Sequence, residues 1–235
     1  LVGTSAAKGL AVGLGIPFVG VDHVHAHLAS GVLDREDPSW PALGLVVSGG
    51  HTSLYRVDNL VRPELLGRTI DDAVGEAFDK VATLLELGHP GGPALESLAE
   101  SGDPEAFQFP VANLGRDRLD FSFSGLKTAV RYAALGVPGK TAPTLDEQRR
   151  ADLAASFQAA AVRALERNLD RALRASSDLR SLVVGGGVIA NRSVRSMVEA
   201  VGREHGLEVV LPPMAWCQDN GAMIAALGAR ILAVD

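Results

Sequence analysis

Residues Ser181-Leu182-Val183-Val184 make a short apolar run that ends in Gly185-Gly186-Gly187 and passes through Val188-Ile189-Ala190-Asn191 into a helix. A run with no polar alternation reads as a strand covered on both faces, which points to a sheet sandwiched by helices. Glycines at the mouth of a helix leave backbone N–H groups unobstructed, so this junction can cradle an anion or a nucleotide. The spacing is neither G-x-G-x-x-G nor a Walker A pattern, and by itself it does not name the ligand.

The rest of the chain follows the same layered grammar. Residues 5–14 read as a helix, 16–21 as a strand and 22–33 as a second helix, an α/β alternation. Residues 43–48 and 51–57 read as strands joined by Gly49-Gly50, a tight hairpin whose exposed amides also suit a phosphate. From Thr69 the pattern changes to helical spacing, with Val74, Phe78, Val81 and Leu85 on one stripe and Asp71, Asp72 and Glu76 at the N-terminal end, where the helix dipole favours negative charge. A breaker cluster at residues 88–93 ends that helix and places Pro93 in the first turn of the next. Residues 120–128 feed another helix with Ser124 as its cap, residues 137–143 form a Pro/Gly loop, and residues 146–175 form a long amphipathic helix. Its arginines, Arg149, Arg150, Arg163, Arg167, Arg171 and Arg174, are interleaved with acids and read as a solvated face rather than an RNA groove. A strand at 207–211 and a helix at 221–232 complete the series.

Two regions carry candidate chemistry. In Asp22-His23-Val24-His25-Ala26-His27 the first and last histidines stand four apart, where a helix puts both imidazoles on one face. Asp219, just before the last helix, is a third and harder ligand. The competing interpretation is a solvated helix start capped by Asp22, and spacing alone leaves both open. His25 points to the other side of the helix and reads as structural. Val24 follows His23 where H-E-x-x-H would require Glu, which disfavours a zinc protease. Asp79 reads, on pattern alone, as a surface charge paired with a neighbour.

Composition bounds the partners. With 22 basic and 28 acidic side chains the formal charge is -6, which gives no general encouragement to nucleic-acid binding, so any RNA contact needs a local basic patch or a basic partner. The one cysteine excludes an internal disulfide and fits a reducing compartment, with the cytoplasm as the default. No apolar run approaches a membrane span, and the first residues lack a signal-peptide pattern and an initiator Met.

The chain resembles the TsaD family, formerly called O-sialoglycoprotein endopeptidases. Beyond the histidine pair, the resemblance rests on Val46-Val47-Ser48-Gly49-Gly50-His51-Thr52, on residues 69–82 (TIDDAVGEAFDKVA), on Gly91-Gly92-Pro93, on residues 121–128 (FSFSGLKT) and on residues 219–224 (DNGAMI). It implies the actin-like ATPase and sugar-kinase (ASKHA) fold, an α/β architecture of two ribonuclease-H-like lobes around a cleft. Residues 1–60 would be the remainder of the N-terminal lobe and 61–235 the C-terminal lobe. The resemblance carries one divalent metal, Fe(II) or Zn(II), onto His23, His27 and Asp219. It carries substrate binding onto Val46, Val47, Ser48, Gly49 and Gly50, and further contacts onto Asp79, Gly92, Glu96 and Asn191. His51 is the candidate for proton transfer or leaving-group contact, and no general base is assigned. The implied reaction moves a threonylcarbamoyl group from threonylcarbamoyl-adenylate to N6 of adenosine 37 in tRNAs reading ANN codons, releasing AMP. The implied partners are a TsaB-like paralogue and a TsaE-like ATPase. The family's N-terminal strands and their Asp-Thr-Ser type loop are missing before Leu1, so the expectation is a fragment with an incomplete first lobe, an exposed sheet edge and first helix, and impaired stability and activity. The alternatives are a HypF- or NodU-type carbamoyltransferase with another acceptor, and a partner-binding fragment with a vestigial metal site.

Overall fold

The computed structural model describes residues 1–115, 117–137, 139 and 143–234. Its centre is a five-stranded sheet in the order β3-β2-β1-β4-β5. β1 (Ala42–Val47) and β2 (Thr52–Val57) form an antiparallel hairpin with Val47 opposite Thr52, and β3 (Glu64–Arg68) pairs antiparallel with β2. β4 (Ser181–Gly185) lies parallel to β1, and β5 (Glu208–Val210) parallel to β4. Every residue of β1 and β4 is buried, as a strand covered on both faces requires.

The two-residue period of β1 divides the core. Leu43, Leu45 and Val47 face a cluster built with α3 (Val74–Leu84), α4 (Gly91–Ala99), α5 (Ser124–Leu135), α6 (Glu147–Ala175) and α7 (Arg192–Glu204), in which Phe78 and Phe157 meet edge to face at 5.0 Å. Ala42 and Val46 face the other side, where α2 (His23–Ser30) and α8 (Gly221–Val234) supply Leu28, Met223 and Leu227. Glycine sets how closely α2 approaches: a Cβ on Gly44 would stand 2.9 Å from Val57 Cγ2 and 3.2 Å from Leu28 Cδ2. By contrast, α1 (Val2–Leu14) buries only Ala11, leaving Leu10, Val12 and Leu14 exposed.

Several expectations change. Residues 16–21 form no strand; Pro17 has no N–H to give, and Val19 and Val21 pack beside Gly228 of α8 instead. The histidine helix stops at Ser30 rather than at residue 33. β3 has no counterpart in the sequence reading, because a short, mostly exposed edge strand carries no alternation. Ser124 is the first residue of α5 and makes no side-chain cap. The Asp71 carboxylate takes that place from across the fold, accepting from Phe123 N (2.9 Å), Ser124 N (3.3 Å) and Ser122 Oγ (2.5 Å). Asp71 and Asp72 precede α3, whose first turn carries Glu76, and Asp72 joins Lys80 and Lys127 at 2.8 and 2.6 Å. The α6 arginines do more than face solvent: Arg149, Arg167 and Arg171 donate to the carbonyls of Ala133, Ala112 and Gly115. Strands on both sides of residue 60 share the one sheet. Of the loop expected at 137–143, residues 138 and 140–142 lie outside the described residues.

Candidate metal centre and adjoining cavity

Asp22 fixes where α2 begins, its Oδ1 accepting from Val24 N (2.8 Å) and His25 N (3.0 Å), so that His23 and His27 project one turn apart. Asp219 arrives from the other end of the chain. Asn220 holds its turn, accepting from Met223 N (2.8 Å) at the start of α8 and donating to the Gln218 carbonyl (2.9 Å). Trp216 Nε1 ties the same segment to Asp34 (2.9 Å), and Arg195 of α7 donates to the Pro212 carbonyl (2.8 Å). One Asp219 oxygen then stands 3.4 Å from His23 Nε2 and 3.3 Å from His27 Nε2, and the three possible ligand atoms all lie within 4.8 Å of one another.

His27 decides between a solvated helix start and a ligand. Its ring is wholly buried, and neither ring nitrogen has a hydrogen-bond partner. Burial first, and then the neighbouring His23, push its pKa down against the opposing pull of Asp219, so it favours the neutral form that can bind a cation. An orphaned buried imidazole is costly, and a divalent ion shared with His23 and Asp219 would satisfy it. The residues present therefore fit a metal, and two imidazoles with one carboxylate suit iron(II) or zinc. His25 turns away, its ring edge-on to Tyr55 at 5.3 Å, in keeping with the helical period. His51 is exposed, with its ring 6.5 Å from that of His23.

The Ser48–His51 turn lies beside this cluster. Ser48 N donates to the His51 carbonyl (2.8 Å) and His51 N to Ser48 Oγ (3.2 Å). Val46 and Val47 have wholly buried side chains, so only their backbone can meet a ligand. Gly49 faces a cavity of about 380 Å³ that also gathers Asp79, Gly92, Glu96 and Asn191. Phe78, Met214 and Gln218 line it too. Sequence reasoning placed Phe78 on the core stripe of α3, and for Met214 and Gln218 it offered no signal. Gln218 is the neighbour of Asp219 in the chain, although His23, His27 and Asp219 themselves do not line the cavity. A space of about 430 Å³ between α4, α6 and α7 shares only Glu96 with this set.

Two of the polar residues here have a defined support. Asn191 Oδ1 caps α7 through Val194 N (3.1 Å) while its Nδ2 donates to Gln158 (2.8 Å). Glu96 Oε1 accepts from Arg192 N (2.8 Å) and Nε (3.3 Å). Asp79 has no ion pair among the described residues, contrary to the bland expectation. Gly75, the second residue of α3, lies against the turn so closely that a Cβ would stand 2.5 Å from the Ser48 carbonyl oxygen.

Comparison with known proteins accords with this arrangement. A family model described as TsaD, tRNA N6-adenosine threonylcarbamoyltransferase, matches residues 1–226. A protein of that name from Methylibium petroleiphilum is 52% identical over 232 residues, covering 99% of this chain and 65% of the relative. One from Ralstonia pickettii is 48% identical, covering 100% and 67%, and one from Symbiobacterium thermophilum is 49% identical, covering 97% and 65%. The chain thus spans about two thirds of the length of these relatives. Among solved structures, T. kodakarensis HypF superposes with a TM-score of 0.69 at 19% identity over 98% of this chain and 39% of its own. A full-length HypF in phosphate- and nucleotide-bound form gives 0.67 at 15% identity over 97% and 38%. These likenesses show a fold shared with HypF, in keeping with the α/β architecture expected from the sequence. With its family model matched over nearly all its length and relatives near 50% identity, the chain belongs to the TsaD family of tRNA N6-adenosine threonylcarbamoyltransferases.

Proposed function

We propose that this chain carries the transfer site for a threonylcarbamoyl group, moved from threonylcarbamoyl-adenylate to N6 of adenosine 37 in tRNAs reading ANN codons. The observation that supports the proposal is the His23–His27–Asp219 cluster beside the Ser48–His51 turn, whose Gly49 opens onto a cavity. In the reaction the N6 nitrogen forms a bond to the carbamoyl carbon, the bond from that carbon to the phosphate oxygen breaks, and AMP leaves with the electron pair while N6 gives up a proton. Gly49 and Gly50 have nothing within 4 Å of an added Cβ, so their amides are open to phosphate oxygens as the leaving group gains charge. Asp79 and Glu96 repel phosphate and accept from hydroxyls, which orients the nucleotide with its phosphate toward the glycine turn. Asn191, held by Gln158, is a fixed polar contact on the same wall. His51, exposed beside the cluster, is placed to take the acceptor proton. An iron(II) or zinc ion on His23, His27 and Asp219 would polarise the carbonyl and balance phosphate charge.

A TsaB-like paralogue and a TsaE-like ATPase are the proposed partners, and a net charge of -6 makes help in tRNA binding from another surface reasonable. No helix among the described residues is long and apolar enough to cross a membrane, and we place the activity in the cytoplasm. The test is incubation with TsaB, TsaE, Fe(II) or Zn(II), fresh threonylcarbamoyl-adenylate and unmodified ANN-decoding tRNA, followed by nucleoside mass spectrometry. Product that disappears in His23→Ala and Asp219→Ala is the expected result. Transfer to a non-RNA acceptor alone would refute it in favour of a HypF-type carbamoyltransferase, and full product from both variants would remove the metal cluster from the mechanism.

A further inference from the structure

Resting on that reading, we propose that a second cavity, on the far side of the Ser48–His51 turn, receives the acceptor as an unstacked nucleotide of an RNA loop, with Arg68 on its phosphate. A two-substrate transfer needs the acceptor to arrive from a side the donor does not fill. The turn provides two sides: Gly49 lines the cavity with Asp79 and Glu96, whereas Gly50 and His51 line a separate space of about 480 Å³ with Arg68, Thr69 and Ile70. The His51 ring, 6.5 Å from that of His23, connects this space to the cluster.

Its chemistry suits a single-stranded nucleotide. The Arg68 side chain is exposed and has no carboxylate partner among the described residues, while its backbone is held at both ends, its N–H by Asp120 (3.1 Å) and its carbonyl by Phe121 N (3.0 Å). The carboxylate in the wall, Asp71, accepts from Ser122, Phe123 and Ser124 at the start of α5 and keeps its charge, so the phosphate is directed to Arg68 and away from that part of the wall. Ile70, more than half exposed, and the His51 ring offer an apolar and an aromatic surface for an unstacked base. On a chain of net charge -6, a cation without a carboxylate partner beside the turn is a local basic contact for RNA.

The test measures wild type, Arg68→Ala, Arg68→Lys and Ile70→Ala for binding of a fluorescent RNA stem-loop carrying the acceptor adenosine, across a salt series, with AMP binding measured in parallel. The expected result for Arg68→Ala is roughly tenfold weaker RNA binding and a salt slope shallower by about 0.7, as for one lost phosphate contact on a single strand, partly restored in Arg68→Lys. AMP affinity stays unchanged. RNA affinity and slope equal to wild type in Arg68→Ala would overturn the pocket assignment, as would a loss confined to binding of the TsaB-like partner. Nucleoside analysis of the same proteins separates the two ideas: product from wild type with unaltered RNA dependence in Arg68→Ala rejects this pocket and keeps the transferase, whereas absence of product both from wild type and from the chain extended at its N-terminus rejects the transferase while RNA binding still decides the pocket.

Discussion

Gly75 and Gly125 occupy the same helical position, the second residue of α3 and of α5, yet the structure predicts opposite outcomes when each becomes Ala. In an exposed helix the exchange is favourable by roughly 0.5–1 kcal/mol, because Gly loses more backbone freedom on folding. Gly125 is exposed with nothing within 4 Å of an added Cβ, so Gly125→Ala realises that gain. At Gly75 the new methyl would lie 2.5 Å from the Ser48 oxygen and 2.8 Å from Gly49 Cα, where ordinary contact begins at 3.4 Å, a shortfall of about 0.9 Å. Both opposing atoms are backbone, so no rotamer relieves the clash; α3 or the turn must move. Overpacking costs about 1–3 kcal/mol, and with both opposing atoms in backbone the cost falls in the upper part of that range, leaving a net loss on the order of 1–2 kcal/mol after the helical gain. At about 2–4 °C per kcal/mol for a chain of this size, thermal unfolding should fall by roughly 2–8 °C in Gly75→Ala and rise by roughly 1–4 °C in Gly125→Ala. AMP binding should weaken in the first variant only, since the displaced turn carries Gly49. A Gly75→Ala protein as stable as wild type would refute the argument that this glycine exists for the close approach.

Other predictions follow from single contacts. Asp71→Ala removes the acceptor at the start of α5 and should destabilise by about 0.5–2 kcal/mol in urea unfolding, with Asp71→Asn milder because an acceptor oxygen remains; equal losses would tie the effect to charge alone. The hydrogen bond from His205, with help from Arg174, holds the Asp170 carboxyl below the usual carboxylate range. A lowered folded pKa contributes stability above the unfolded value of about 3.9 that is lost as pH falls through the folded value, so the advantage of wild type over Asp170→Asn should shrink below about pH 4. A pH-independent gap would contradict it. Zn(II) at a hundredfold excess over its Kd should stabilise wild type by about 2.7 kcal/mol and leave Asp219→Ala, altered at an exposed side chain, much less stabilised; the same thermal shift in both would place the ion elsewhere.

Elements whose packing leaves a periodic imprint were legible before any coordinates. The buried runs at 43–47 and 181–185, the stripe of α3 and the length of α6 all follow from burial. Extended residues with one-sided contacts were not: residues 16–21 have strand-like composition but nothing to pair with, and β3 lies at an exposed edge. In the site, His23 and His27 announce themselves because one helix sets their spacing, whereas Met214 and Gln218 reach the cavity only through a turn whose path depends on Trp216, Arg195 and Asn220. The capping of α5 by Asp71 joins residues 52 positions apart, beyond the range of a local capping rule.

The metal cluster joins positions 27 and 219, so 192 residues of synthesis separate its buried imidazole from its carboxylate. At about 5–20 residues per second, that interval is on the order of 10–40 s on the ribosome. During it β1, one of the strands against which α2 packs, is made early, whereas the other, β4, and the helix α8 are for the most part not yet made. The nascent chain therefore offers only a loose pair of histidines, and the grouping of all three side chains comes into being only when α8 docks; a cation that needs three ligands would be held only from then on.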